Sequence, residues 1–285
     1  MPASPRSVVL DYDGTLTDVD AGAAAFRARF DEGIATIVGH SVAEVASLFR
    51  EVEAEIARNP QRYAWSFRGA LVAPASADPY IRATCAAHLV FDRVGFLPGD
   101  ETMRADRIYR VHRDSYRSAH TVFREEARAV LEALLARFGV VHVVTNAAPE
   151  IVSTRIASLG VAFGERLRVV GDARKFVVEP ASLDPEVFAR VPETLTLPQL
   201  PRPVLVRRGH YFDALVTIAR ELSVPYEDML VCGDIFELDL ALPFVLGTRV
   251  HLLTRPTTPE YEQAFVASAA RGGVGSTLSS LLERC

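Results

Sequence analysis

Val8-Val9-Leu10-Asp11-Tyr12-Asp13-Gly14-Thr15-Leu16-Thr17 is the stretch that decides how the rest of the chain is read. Three apolar, strand-forming residues run into Asp11, and a second carboxylate, Asp13, follows two positions on, just before Gly14. In an extended chain residues i and i+2 face the same side, so two acids stand together at the mouth of one strand. Like charges at short range repel unless a cation offsets them. A bound divalent metal answers that repulsion. A calcium-binding loop is the bland alternative, but it needs more oxygen ligands within about a dozen residues, and here only Asp18 and Asp20 follow.

Working outward from Thr17, the hydrophobic pattern turns helical for about a hundred residues. Phe26, Phe30, Ile34 and Ile37 predict a helix over 21–38 that ends at Gly39. Ser41 with Glu44 forms a capping box that opens a second helix, stopping before Asn59 and Pro60. Residues 61–80 read as a loop or short helix, and two further helices are expected near 78–92 and 101–119. From Glu125 helix and strand alternate. The helix at 125–138 is followed by the strand Val140 to Val144, a helix opening at Pro149, and strands at Leu167 to Val170, Met229 to Cys232 and Arg249 to Leu253. Helices are then expected to the end of the chain, while the Pro-rich interval 180–203 is an insertion of no evident role. Strands that are apolar throughout, separated by helices, argue for a parallel sheet covered on both faces, with ligands at the carboxyl ends of its strands.

Two more strand ends carry polar groups. Val140 to Asn146 reads VVHVVTN, and Met229 to Asp239 reads MLVCGDIFELD. Together with Val8 to Thr17 they resemble the motifs of the haloacid dehalogenase superfamily, specifically its phosphatases. The resemblance implies an α/β fold with a doubly wound parallel sheet and an inserted α-helical cap. The core would take residues 1–18 and 121–285, and the cap 19–120. It implies that Asp11 is the nucleophile and Asp13 the general acid and base. Thr145 would hydrogen-bond a phosphoryl oxygen, with Asn146, Gly14 and Arg208 also on the substrate side. Asp11, Asp13, Asp234 and Asp239 would hold Mg2+, with Glu237 able to replace Asp239.

The family also places a cation after the third strand. Among 31 basic residues a single lysine, Lys175, occurs, which leaves 30 arginines. Standing five residues beyond Val170, Lys175 is the first choice, with Arg207 and Arg208 as rivals. The implied activity is hydrolysis of a small phosphorylated metabolite through an aspartyl-phosphate. A phosphosugar mutase shares the motifs; a dehalogenase of this superfamily lacks the second acid; a catalytically silent binding module is the non-enzyme alternative.

Composition removes other classes. The net charge of -5, 24% charged residues and no basic tail exclude a nucleic-acid binder. Three separated cysteines argue against a disulfide framework or a zinc site, and no run reaches the roughly 20 apolar residues that span a bilayer. With no signal-like segment in MPASPRSVVLDYDG, a cytoplasmic location and no membrane partner are expected. The oligomeric state stays open. Arginines 104, 107, 110, 113 and 117 read as a solvated helix face, Tyr63, Trp65 and Phe67 as cap core, and His142 as structural.

Overall fold

Val8, Val9 and Leu10 are buried because their strand, Ser7–Leu10, lies inside a six-stranded sheet rather than at its edge. In the computed structural model the strands run in the order Gly272–Gly275, Arg249–Leu253, Met229–Gly233, Ser7–Leu10, Val141–Val144, Leu167–Val170. Every pairing between them is parallel. The structure describes residues 4–59, 62–118, 120–160 and 164–285. Pro60, Gln61 and Ala119, which the sequence reading included in its expected elements, lie outside the described residues.

Alternation along each strand feeds two apolar layers. Val8, Leu10, Val141, Val143, Leu230 and Cys232 face the layer closed by the helices Ala127–Phe138 and Pro149–Ala157. Val9, Val144, Met229, Val231 and Val250 face the other, closed by Gly209–Leu222 and Glu260–Ser268. This is the doubly wound arrangement. Because the strands are parallel and Leu10 is in register with both Val143 and Cys232, the residues that follow them emerge at one end of the sheet.

The chain divides into two compact units: Met1–Asp18, Phe67–Ala73 and Phe123–Cys285 form one, and Val19–Ser66 with Pro74–Val122 the other. In the α/β unit the chain's exit and return are tied together. Thr17 bridges Phe123, and Arg124 donates from its backbone to the Leu16 carbonyl at 3.0 Å. The helical unit contains Val19–Val38, Val42–Arg58, Pro79–Val94 and Glu101–Ser118 around Phe26, Phe30, Val45, Phe49, Ala86 and Phe91. Ser41 and Glu44 make the capping box reciprocally. Asp78 caps the third helix through the Ile81 amide at 2.6 Å, and Gly95 ends it at φ 66°.

Four local expectations are corrected. Residues 61–80 contain two strands, Ala64–Phe67 and Ala70–Pro74, instead of a loop or short helix. The period-two placing of Tyr63, Trp65 and Phe67 was the strand signal, and Arg68 and Gly69 both take the positive φ that tight hairpin turns favour. Arg104 is buried and donates to Asp92 and to the Phe96 and Leu97 carbonyls, so it is no part of a solvated face. The carboxyl-terminal region holds a sixth strand, Gly272–Gly275, whose three glycines give no hydrophobic periodicity. The 180–203 insertion packs Phe188, Val191, Leu197 and Leu200 into the core layer. Among the described residues no helix is long and apolar enough to cross a membrane.

Candidate active site

Asp11 leaves the first strand with its amide still donating to the Cys232 carbonyl at 2.8 Å, so its position is fixed by the sheet itself. Its carboxylate accepts from the Lys175 ammonium at 2.7 Å and from the Thr15 hydroxyl at 3.3 Å. The same ammonium donates to Asp239 at 2.9 Å. Lys175 is only 1% exposed and stands 5.4 Å from the centre of the Tyr211 ring, whose hydroxyl donates to the Asp239 carbonyl at 2.7 Å. The structure thus brings the lone lysine to the first acid, and not either rival arginine.

The backbone around Lys175 explains how it gets there. Asp172 and Arg174 both have positive φ, 49° and 44°, and the chain doubles back after the Leu167–Val170 strand. The Ala173 amide bonds the Thr145 carbonyl at 2.9 Å, and the Lys175 amide bonds Asn146 Oδ1 at 2.7 Å. Asn146, expected to face substrate, therefore holds the lysine loop through its carbonyl. Thr145 is buried beside it and accepts from the Ala147 amide at 3.1 Å. Arg208, expected on the substrate side, bonds this loop. Its buried guanidinium donates to the carbonyls of Lys175 at 2.5 Å, Val72 at 2.8 Å and Leu205 at 3.0 Å. Arg207 is directed to Val191, Ala189 and Glu193.

Asp234 follows the Met229–Gly233 strand, next to the Ser7–Leu10 strand, and meets the first motif at Gly14. A Cβ on Gly14, which has φ +83°, would lie 2.1 Å from Asp234 Oδ2, so only glycine lets the two loops close. Asp11, Asp234 and Asp239 each place a carboxylate oxygen within 4.8 Å of the others. Asp13, half-buried, adds a fourth negative charge that acts on Asp11. Asp239, expected among the metal ligands, divides its carboxylate between Lys175 and the Ile235 amide at 3.1 Å.

Three buried carboxylates, Asp11, Asp234 and Asp239, thus turn oxygens towards one another, with Lys175 bonded to two of them and Arg255 to the third. Burial raises the Asp11 carboxyl to about 7; Lys175 opposes that rise, while Asp239 and Asp13 add to it. Burial alone would lower the Lys175 ammonium, yet Asp11 and Asp239 outweigh it and hold the lysine protonated well above its usual range. A compact divalent cation with a preference for hard oxygen ligands fits this donor set in charge and in kind.

Sequence reasoning missed two groups here. Arg255, just past the Arg249–Leu253 strand, donates to Asp234 Oδ2 from Nε at 3.0 Å and Nη2 at 2.8 Å. Its signal was available, since it lies two residues past a strand end in a parallel sheet. Glu262 accepts from the Phe236 and Glu237 amides at 3.1 Å and steadies the loop between Asp234 and Asp239 from below. Glu237, read as a possible substitute for Asp239, is instead held by Arg202 at 2.7 and 2.9 Å and by the Tyr261 hydroxyl at 2.7 Å.

No protein-family model matches the chain, and no curated protein matches it. Similarity to solved structures is extensive in coverage and low in identity. A predicted phosphoglycolate phosphatase from Haemophilus somnus 129pt superposes with a TM-score of 0.56 at 13% identity, covering 99% of this chain and 98% of that one. A protein from Bacteroides fragilis described as a haloacid dehalogenase-like hydrolase gives 0.53 at 12% identity, covering 98% and 100%. At such identities the likeness is one of fold.

Proposed function

From the premise that the chain has the haloacid dehalogenase-like hydrolase fold, we propose that it is a magnesium-dependent phosphatase acting on a small phosphomonoester. The observation that carries this reading is the Asp11–Lys175–Asp239 contact within reach of Asp234 at the carboxyl end of the sheet. It supplies a nucleophile held by an ammonium and converging hard oxygens suited to a divalent cation. Asp13, two residues from Asp11, supplies the second acid that phosphoryl transfer needs and that the resemblance does not associate with dehalogenases.

Asp11, the Asp13 carbonyl and Asp234 would hold Mg2+, which when bound screens the phosphate charge and polarises its oxygens. In the first half-reaction an Asp11 carboxylate oxygen attacks phosphorus, the bond from phosphorus to the ester oxygen breaks, and Asp13 gives its proton to the departing alkoxide. In the second, Asp13 takes a proton from water as that water displaces Asp11, which leaves inorganic phosphate and regenerates both acids. Lys175 holds the Asp11 carboxylate and offsets charge as it develops on the phosphoryl group. Asp239 orients Lys175, Thr145 lies at the phosphoryl side, and Asn146 and Arg208 fix the lysine loop. The partner is a small phosphorylated metabolite.

A phosphate-release screen over sugar phosphates, nucleotides and phosphoglycolate, with and without magnesium and alongside 2-haloacids, tests the reading. Magnesium-dependent phosphate release is expected. Halide release without phosphate release, or undiminished phosphatase activity in excess chelator, would overturn it.

A further inference from the structure

Asp234 Oδ2 is in demand from two directions. On one side the first-motif turn comes so close that even a methyl group on Gly14 would overlap this oxygen. On the other, two nitrogens of the Arg255 guanidinium converge on it at 2.8 and 3.0 Å, both side chains being almost wholly buried. Arg255 is anchored there: its amide donates to Thr258 Oγ1 at 2.8 Å, and Thr257 Oγ1 is 3.5 Å from its Nη1. Charge-assisted bonds from a guanidinium are among the strongest a carboxylate makes, and Asp234 is a residue that the proposed function gives to the cation.

We propose that Arg255 is a resident counter-cation which competes with divalent metal for Asp234 and so sets the affinity of the site for magnesium. This rests on the magnesium reading above. The physical argument is one of exchange. A metal approaching Asp234 must draw density from a carboxylate whose Oδ2 already holds a guanidinium, and must sit near a second full positive charge. Both effects weaken binding relative to a bare carboxylate. The compensation falls to the protein without metal, in which a buried Asp234 lacking Arg255 would be an uncompensated charge.

The test measures metal binding without turnover. Mg2+ is titrated by calorimetry into the full chain, wild type and Arg255→Gln, and thermal unfolding is followed with and without saturating Mg2+. Arg255→Gln is expected to bind Mg2+ about tenfold more tightly, equivalent to about 1.4 kcal/mol. It should also gain more in melting temperature on saturation than the wild type does, from a lower metal-free starting point. Should Arg255→Gln fail to fold without metal, Arg255→Lys carries the test. It keeps the charge but loses the two-pronged contact, and a smaller tightening is expected. Unchanged or weaker binding in the folded variant, while the wild type binds, overturns the proposal and leaves the phosphatase reading standing. Binding by the variant alone supports the proposal and removes magnesium from the natural enzyme, and binding by neither overturns both.

Discussion

Two clusters of buried acids lie in the α/β unit within a few residues of each other, and they are resolved in opposite ways. In the lower one Glu237 meets Arg202 through two parallel bonds and takes a third from Tyr261, while Glu262 receives two backbone amides. Nothing there asks for a further ligand. In the upper one Asp11, Asp234 and Asp239 bring carboxylate oxygens within 4.8 Å of one another, with Lys175 bonded to Asp11 and Asp239 and Arg255 to Asp234. Each acid of the lower cluster turns to its own donors, whereas the three upper carboxylates converge on one another, the arrangement of hard oxygens that a divalent cation suits. Acidity alone does not distinguish them; the convergence of carboxylate oxygens does.

The largest expected effect breaks the upper cluster at its centre. Asp11→Asn should abolish phosphate release, at least about a thousandfold or roughly 4 kcal/mol of barrier, with an unchanged circular dichroism spectrum, because the amide keeps the carboxylate's shape while removing a charge that Asp239 and Asp13 repel. Retention of a tenth of the activity would remove Asp11 from its role. Lys175→Ala removes the ammonium that Asp11 and Asp239 share, and kcat should fall by roughly two to four powers of ten. Lys175→Arg should restore little of it, since a planar guanidinium does not fit where a compact ammonium bridges two carboxylates. Recovery of full kcat by the arginine variant would show that charge, and not shape, is what the site requires.

In the lower cluster the same operations should read out in stability. Glu237→Ala strands Arg202 beside a buried hydroxyl and should cost about 3 kcal/mol in denaturant unfolding. A loss within experimental error would mean the pair is solvated in solution. Glu262 gives the smallest effect and the clearest sign. Burial, with Glu237 adding to it, raises its carboxyl from 4.5 to about 8. The folded state therefore binds the proton more tightly than the unfolded chain, and the contribution to stability is fully present below 4.5 and lost as pH rises towards 8. Glu262→Gln, which stays neutral, should flatten the fall in melting temperature across that window by a few degrees. An unchanged slope would show that Glu262 is ionised throughout.

How much of this could be read in the amino acids follows the same physics. Strands buried on both faces announce themselves as apolar runs, and their carboxyl ends then carry the site, so Asp11, Thr145 and Asp234 were placed from sequence. Lys175 stood out by scarcity. Arg208 and Asn146 were read as substrate-side groups because a polar residue near a strand end looks the same whether it faces a ligand or holds a loop. Only the carbonyls of Val72, Leu205 and Lys175, supplied from three separate stretches of chain, reveal which. Arg255 was missed among 30 arginines for the converse reason, as abundance hid it. The strands at 64–74 were lost to mixed polarity, and Gly272–Gly275 because a strand with one side chain among three glycines has no pattern.

The single lysine gives the molecule a built-in chemical reporter. Its only side-chain amine is 1% exposed and bonded to two carboxylates, so an acylating reagent can reach it only when the pocket opens. The rate at which that one amine is modified therefore counts openings of the loop that carries Lys175, separately from unfolding of the chain as a whole. Any substrate or ion that seals the pocket would slow the labelling, which makes occupancy measurable before a turnover assay exists.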